Sequence, residues 1–403
     1  MKVLLVGSGG REHALAWAIS RSPLLTELHA APGNPGIASL AICHPVRADD
    51  LASLVPLAAE LEADLVVVGP ETPLVAGLGD ALRRRGIAVF GPSRAAAQIE
   101  GSKAFAKEVM AAAGVPTARN LAVARPPCVV KADGLAAGKG VWVCHTIDEL
   151  DAALHAAAAL GQPFHVEELL EGEEVSLFAL CDGATALTLP AAQDYKRIGD
   201  ANTGPNTGGM GSYSPVPRVP AAEAAGLVEQ LIPPVLEQLA ARGASFSGVL
   251  YAGLMLTADG PKVLEFNCRF GDPETQSLLP LIESDLLEAL AAAASGSLAG
   301  TPLAVSERAA VTVVLAARDY PERGDAGMPI GGVEAAEAAG ALVFHAGTAL
   351  KGGRLVTNGG RILNVTAVGD SLADARTAAY TAAERIDFEG MRYRTDIAAL
   401  ADE

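Results

Sequence analysis

Cysteine is scarce in this chain, and what there is does not pair. The five residues, Cys43, Cys128, Cys144, Cys181 and Cys268, are odd in number and include no C-x-x-C spacing. That excludes a disulfide framework and a cysteine zinc site, and it fits a reducing, cytoplasmic setting. Long apolar runs are missing as well: the alanine-rich stretches are broken by Glu, Asp, His or Gly before they reach the length that crosses a bilayer. Positive charge is in deficit, with 30 Lys and Arg against 47 Asp and Glu and a formal net charge of -17. A surface of that sign repels nucleic acid and anionic lipid, so neither is expected as a partner. Any phosphate must therefore be held by local lysines, arginines and backbone N–H groups. The opening residues, Lys2 and then Val3–Val6, run into a glycine turn and read as a first strand rather than a signal peptide. The 403 residues leave room for roughly three domains with substantial cores.

What is present is a regular alternation of short patterns. Apolar strands at Val3–Val6, Leu28–Ala31, Leu65–Val68 and Ile87–Phe90 are separated by helical periodicity at His13–Ser20, Leu51–Leu61 and Leu74–Arg85. This predicts a parallel, doubly wound α/β unit. Ligands in such sheets gather at the carboxyl ends of the strands, which here carry Gly7-Ser8-Gly9-Gly10, Pro32-Gly33-Asn34-Pro35-Gly36 and Gly69-Pro70-Glu71-Thr72. A helix from Lys103 to Ala113 is stopped by Gly114-Val115-Pro116. A smaller block follows: strand Cys128–Lys131, a glycine loop, strand Val141–Cys144, helix Ile147–Leu160 and strand Phe164–Glu167, predicting a compact two-layer lid. From Val175 to Leu290 the pattern is mixed α/β, and it contains one polar, glycine-rich connection from Gln193 to Tyr213. A connection of that length without evident structure is, as a rule, functional or disordered. The last part carries strands at Ala310–Ala316, Leu342–His345 and Arg361–Val368 and a helix at Leu372–Ile386.

Gly7-Ser8-Gly9-Gly10 between strand and helix can bring backbone N–H groups to a phosphate, or can simply let the two elements pack closely. A dinucleotide fingerprint needs a third glycine where this chain has Glu12, and an acidic residue after the second strand, where it has Ala30-Ala31-Pro32. A nicotinamide-dependent oxidoreductase is excluded on both counts.

The run Val129-Val130-Lys131-Ala132-Asp133-Gly134-Leu135-Ala136-Ala137-Gly138-Lys139-Gly140-Val141 sets a lysine at a strand end, then a glycine-rich hairpin, then another strand. Backbone N–H groups exposed by the glycines can line an anion-binding concavity, with Lys131 as a point charge. The spacing is not that of a Walker loop. Downstream, Glu167, Glu168, Leu170 and Glu174 lie in an acidic stretch that suits either an adenine edge and a ribose or a solvated charged turn. In Val263–Phe270, the period of two places Glu265, Asn267 and Arg269 on one face. A carboxylate and an amide oxygen two residues apart suit Mg²⁺ completed by phosphates and water. The same pattern also fits the wet face of a half-buried strand. Arg269 then leads through Phe270-Gly271-Asp272-Pro273-Glu274, whose charges leave the strand through Gly and Pro.

At this point the chain resembles the ATP-grasp superfamily and, within it, the glycinamide ribonucleotide synthetase family. The resemblance spans nearly the whole chain. It rests on Gly7–Ala14, Gly101-Ser102-Lys103, Lys131–Gly140, Gln193–Arg197, Asn202–Gly211, Glu265–Glu274 and Thr357–Arg361, of which the Arg269–Glu274 run is the most specific.

The resemblance implies an α/β and α+β ATP-grasp fold in four parts: an N-terminal α/β substrate domain over 1–100, a central A domain over 101–116 and 174–305, a B lid over 117–173, and a C-terminal domain over 306–403. It implies that Lys103 and Lys131 bind ATP phosphates together with Gly134, Gly138, Lys139 and Gly140. It further implies Glu167, Glu168 and Leu170 at the adenine, Glu174 at the ribose, and Glu265 with Asn267 at Mg²⁺, for which Mn²⁺ can substitute. Asp194, Lys196, Arg269 and Asp272 are expected at glycine or its acyl phosphate. Gly9, Gly10 and Arg11, with Asn206, Thr207, Gly208 and Gly209, are expected at 5-phosphoribosylamine. Arg269, Lys131 and Asp194 are the expected catalytic groups, and the enzyme is expected to be a cytoplasmic monomer. No protein nucleophile is required, so the lack of a Ser-His-Asp or Cys-His arrangement agrees with this reading. Two departures from the family pattern stand out. Arg119–Pro127 is too short for the helix usually found before Lys131, and Gly161-Gln162-Pro163 is a tight connection. The glycine loop is expected to move when no nucleotide is bound. A different ATP-grasp ligase or carboxylase would lack Arg269–Glu274, and a non-catalytic nucleotide-binding regulator would have no use for both Glu265 and Asn267.

Overall fold

A computed structural model gives the structure of the protein over residues 1–135 and 140–399. The N-terminal part is a five-stranded parallel sheet with Lys2–Gly7 at its centre. Glu27–Pro32 and Ile42–Cys43 lie to one side, Leu65–Val68 and Ala88–Phe90 to the other. Val3, Leu4, Leu5 and Val6 are fully buried, as a strand covered on both faces by helices requires. The order reverses direction on either side of Lys2–Gly7, so the glycine turns of three strands open into one crevice. The helical pattern Leu74–Arg85 is two short helices, Glu71–Ala76 and Leu78–Arg83, because Gly77 turns left-handed at φ +96° and ends the first.

Residues 128–168 form a three-stranded antiparallel sheet, with Cys128–Ala132 between Val141–Cys144 and Phe164–Glu168. Helix Ile147–Ala159 covers one face and is started by a capping box of Thr146 and Glu149. Cys128, Val130, Cys144, Leu150, Ala153 and Ala157 make a small core of their own beneath it. Alternation then turns Val129, Lys131, Glu167 and His165 to the face away from that helix. No helix occupies the stretch between Ala113 and Cys128, consistent with the shortness of Arg119–Pro127.

The central part is a four-stranded sheet of Ala186–Thr188, Glu173–Asp182, Ser247–Thr257 and Gly260–Asn267, packed beneath helix Ala221–Ala241. The connection Gln193–Tyr213 is more structured than its composition suggests. It contains short strands at Gln193–Asp194, Arg197–Gly199, Thr203–Asn206 and Gly211–Ser214. The first and last of these leave the central sheet and join the sheet of Ala309–Ala316, Arg361–Gly369 and Leu342–His345. Sequence patterns also miss the three-stranded sheet of Asp325–Pro329, Arg354–Gly359 and Thr348–Lys351, whose strands are largely exposed and carry little apolar periodicity. No helix among the described residues is long and apolar enough to cross a membrane.

Candidate active site

The lysine at the strand end is not free. Lys131 Nζ lies 2.8 Å from Glu167 Oε2 and donates to the carbonyl of Leu264 at 3.2 Å. Leu264 is the extra residue of a bulge between Ser247–Thr257 and Gly260–Asn267, so an interruption in the central sheet supplies the acceptor that seats Lys131. Glu167, with a side chain only 2% exposed, also receives Lys107 Nζ at 2.8 Å and His165 Nε2 at 3.0 Å. Burial pushes the Glu167 carboxyl up. The His165 hydrogen bond and the charges of Lys131 and Lys107 overcome burial and hold it at about 2. Glu168 is engaged too, gripped by Arg119 Nε and Nη2 at 2.8 and 2.6 Å. The side chains of Glu167 and Glu168 thus serve the lysines and Arg119.

Asp133 ties the glycine loop to the helix that follows the N-terminal sheet. Its Oδ1 accepts from the backbone N–H of Lys103 and of Gly134, and its Oδ2 from the Ser102 hydroxyl at 3.2 Å. Lys103 Nζ reaches the Gly134 carbonyl at 3.3 Å. Burial lowers the Lys103 ammonium below its usual range, Glu265 opposes this most strongly, and Lys131 adds to the lowering. Gly140 closes the stem, its carbonyl accepting from Ala132 N–H at 2.8 Å. Gly138 and Lys139 lie outside the described residues.

Glu265 is exposed and enters no ion pair among the described residues, while Asn267 is buried, its Oδ1 accepting from Arg269 Nη2 at 3.1 Å. The pair therefore offers oxygen ligands only. Among the described residues no group of three or more His, Cys, Asp or Glu could hold a metal by itself. Such a pair fits a hard cation that takes the rest of its shell from phosphates and water.

Arg269 lies between two carboxylates, 3.0 Å from Glu100 and 3.4 Å from Glu71. Burial works against its charge, but Glu100 and then Glu71 raise its pKa beyond the usual value. Asp194 receives Lys196 Nζ at 3.0 Å, and the same ammonium reaches Glu174. Burial raises the Asp194 carboxyl, offset in part by Lys196, and Glu265 is near enough to add to the rise. Glu274, a residue the sequence reading left without a role, is 3% exposed and accepts from the Tyr251 hydroxyl at 2.8 Å. Burial, and then the charge of Asp194, push it up to about 7.

The crevice at the strand ends continues into a cleft of about 410 Å³ between the N-terminal sheet and the C-terminal part, lined by Ser8, Gly9, Asn34, Asp272, Asn358 and Arg361 among others. Arg361 donates to the carbonyls of Gly208 and Asp272 at 2.6 and 2.8 Å and pairs with the Asp272 carboxylate at 3.0 Å. Thr207 fixes the turn before it, accepting from Gly209 N–H at 3.0 Å, and Asn206 pairs with Arg197 in the short hairpin. Arg361 and Asn34 received no role from the sequence, although Arg361 closes the Thr357–Arg361 motif. Gly10 does not line this cleft; a Cβ there would meet Asn364 Nδ2 at 2.3 Å and Gln276 Nε2 at 2.7 Å, so its smallness serves packing. Arg11 is buried, pairs with Glu12 at 2.5 Å and donates to the Phe270 carbonyl at 3.1 Å.

The missing third glycine now has a physical account. Glu12 Oε2 accepts from Gly9 N–H at 2.6 Å. The side chain lies over Gly7 and Gly69, where an added Cβ would come within 2.5 and 2.1 Å of it. A protein carboxylate thus takes the N–H that a dinucleotide fold would give to pyrophosphate.

Set beside known proteins, the chain is matched by the phosphoribosylglycinamide synthetase family in three blocks: the N domain over residues 1–100, the ATP-grasp (A) domain over 101–275 and the C domain over 310–400. The chain belongs to this family. A phosphoribosylamine–glycine ligase of Mesorhizobium japonicum is 51% identical over 414 residues, spanning 98% of this chain and 97% of its own. One from Streptomyces coelicolor is 51% identical over 417 residues, spanning 100% and 99%. The crystal structure of the Thermotoga maritima phosphoribosylamine–glycine ligase superposes with a TM-score of 0.86 at 35% identity, covering 99% of this chain and 100% of that one. The biotin carboxylase domain of a Hydrogenobacter thermophilus 2-oxoglutarate carboxylase, solved with MgADP and bicarbonate, shares the fold at a TM-score of 0.71 and 17% identity, covering 97% and 91%. For a phosphoribosylglycinamide synthetase, the convergence of Lys103, Lys131, Glu265, Asn267 and the Asp194–Lys196 pair is the feature to interpret.

Proposed function

We propose that the chain joins glycine to 5-phosphoribosylamine with consumption of ATP, giving glycinamide ribonucleotide, ADP and phosphate in purine biosynthesis. The observation that carries this reading is the family match over nearly the whole chain, together with Lys103 at the Gly134 carbonyl, Lys131 on Glu167, and Lys196 joining Asp194 to Glu174.

Lys103 and Lys131 neutralise the phosphates, and Gly134 and Gly140 bring backbone to them. Glu265 and Asn267 hold Mg²⁺, or Mn²⁺ in its place, which when bound offsets the charge that develops on the transferring phosphoryl group. Asp194, Lys196 and Arg269 orient glycine so that its carboxylate oxygen attacks the γ-phosphorus, releasing ADP and forming glycyl phosphate. The ribosylamine nitrogen, held in the cleft between Gly9 and Arg361 with the Asn206–Gly209 turn and Asp272, then attacks the carbonyl carbon. The C–O bond to phosphate breaks and the amine loses a proton. Positioning and charge neutralisation supply the rate.

The same reading divides the chain into an N-terminal substrate domain, an A domain, a B lid and a C-terminal domain at the boundaries given above, with Gln193–Ser214 crossing to the C-terminal sheet. A monomer and a cytoplasmic location belong to the same reading, the latter supported by the five free cysteines.

Glycine labelled with heavy oxygen in its carboxylate tests the intermediate. Attack through glycyl phosphate transfers one labelled oxygen to inorganic phosphate; unlabelled phosphate in the presence of full product formation overturns it.

A further inference from the structure

The extended segment Asp194–Lys196, which continues the short strand Gln193–Asp194, is held from behind by a segment about 200 residues away. Asp194 pairs with Ser212, and Tyr195 exchanges backbone hydrogen bonds with Gly211 and Met210 at 3.0 and 2.8 Å, so Asp194, Tyr195 and Lys196 run extended. Alternation puts Asp194 and Lys196 on one face and the Tyr195 ring on the other.

Against that rear face lies Arg394, 1% exposed, its guanidinium 4.7 Å from the centre of the Tyr195 ring. Arg394 Nη1 donates to the carbonyl of Arg197 at 3.1 Å and to Asn202 Oδ1 at 3.0 Å, while Nε and Nη2 fork onto Asp396 at 2.7 and 2.6 Å. The Tyr195 hydroxyl accepts from Ala398 N–H at 2.9 Å. Thr395 donates twice to Asp200, at 2.9 and 2.6 Å, and Asp396 accepts from Ala201 N–H at 2.8 Å. The segment is itself anchored to helix Leu372–Ala383. Arg376 donates to the carbonyls of Ile397 and Thr395 at 3.0 and 2.8 Å, and Tyr380 to that of Arg394 at 2.8 Å.

We propose that Arg394 and Tyr195 are positioning residues for the amino-acid site: together they fix the extended segment whose front face presents Asp194 and Lys196, and so set the affinity for glycine without touching it. The inference rests on the reading that Asp194 and Lys196 hold glycine. Its physical basis is the fork. A planar guanidinium bonded at once to Arg197, Asn202 and Asp396 and stacked on Tyr195 leaves this segment one position along its length. A lysine in the same place keeps the charge but contacts fewer partners.

The test compares the full-length chain with Arg394→Lys, Tyr195→Phe and Asp194→Asn by steady-state kinetics and thermal unfolding. Asp194→Asn should raise KM for glycine by about tenfold or more, and Arg394→Lys by a similar factor, because small misplacements of orienting groups carry such penalties. Tyr195→Phe, which removes only the acceptor for Ala398, should raise it less, with KM for ATP unchanged in all three. If Asp194→Asn leaves glycine KM unchanged, the glycine site itself is misassigned and the inference falls with it. If Asp194→Asn raises glycine KM but Arg394→Lys and Tyr195→Phe do not, the positioning role alone is overturned. A parallel rise in KM for glycine and ATP in Arg394→Lys, tracking a lower melting temperature, also overturns it. Should Arg394→Lys fail to fold, Tyr195→Phe decides by the same criteria.

Discussion

Lys131 and Glu167 are joined at 2.8 Å across neighbouring strands of the small sheet, on the face turned away from its covering helix. The pair charges the site and holds it together, because Glu167 also neutralises Lys107. Replacing Glu167 by Gln strands two largely buried ammonium groups. The expected cost is about 3 kcal/mol, in the range for breaking a buried pair from one side, read as a shift in the urea midpoint. Since Lys131 then loses its charged partner and keeps only the Leu264 carbonyl, KM for ATP should rise as well. Unchanged stability would show that the two lysines find other partners.

Acid should loosen the contact between the N-terminal and C-terminal parts. His13, on helix Gly10–Ser20, accepts from the His345 backbone N–H at 2.8 Å. Burial, and then the nearby His345, lower the His13 imidazole to about 3, while burial lowers His345 to about 4. Both are neutral in the folded state and take up protons near pH 6.5 when unfolded. Between these values the unfolded chain binds more protons, so the stability is complete above about pH 6.5 and falls as pH drops, by up to about 1.4 kcal/mol per pH unit for each histidine. His13→Asn keeps an acceptor for the His345 N–H and removes one titration. Its unfolding free energy should fall less steeply from pH 6 to 4.5 than that of the unsubstituted chain; equal slopes would remove His13 from the account.

Glu265→Ala should abolish turnover and leave folding intact. The side chain is exposed and outside any ion pair among the described residues, so its removal should change stability by no more than about 0.5 kcal/mol. Normal turnover of this variant at low Mg²⁺ would rule out a metal role.

The Glu12 cage predicts coupling. Gly69→Ala places a Cβ 2.1 Å from Glu12 Oε1, an overpacking expected to cost about 1–3 kcal/mol. In a Glu12→Ala background the same change should cost little, because the clashing atoms are gone. Additive effects in that double-mutant cycle would mean that Gly69 is small for another reason.

Much of this was legible in the sequence where the determinants are local. The strands flanking the glycine loop and the helix after them follow from short-range periodicity, and the structure shows each; the strand expected over Val263–Phe270 ends at Asn267, so Arg269 lies beyond it and not on a strand face shared with Glu265 and Asn267. What was not legible depends on distant partners. Lys131 is seated by a bulge carbonyl at Leu264, Arg269 is clamped by Glu71 and Glu100, and Arg394 braces Tyr195 from the far end of the chain. No spacing rule encodes such pairings. The connection Gln193–Tyr213 misled for the same reason. Its strands are polar and short, and they are stabilised by pairing to Ala309–Ala316, which the local pattern does not reveal. The occupied side chains of Glu167 and Glu168 likewise became visible only once Lys107 and Arg119 were placed.

The most direct test of the whole account is the release of ADP from ATP by the purified chain with Mg²⁺, measured with glycine, with freshly prepared 5-phosphoribosylamine, and with both. The account predicts sustained turnover with both substrates and none with either alone. Equal ADP release in the absence of glycine would contradict it.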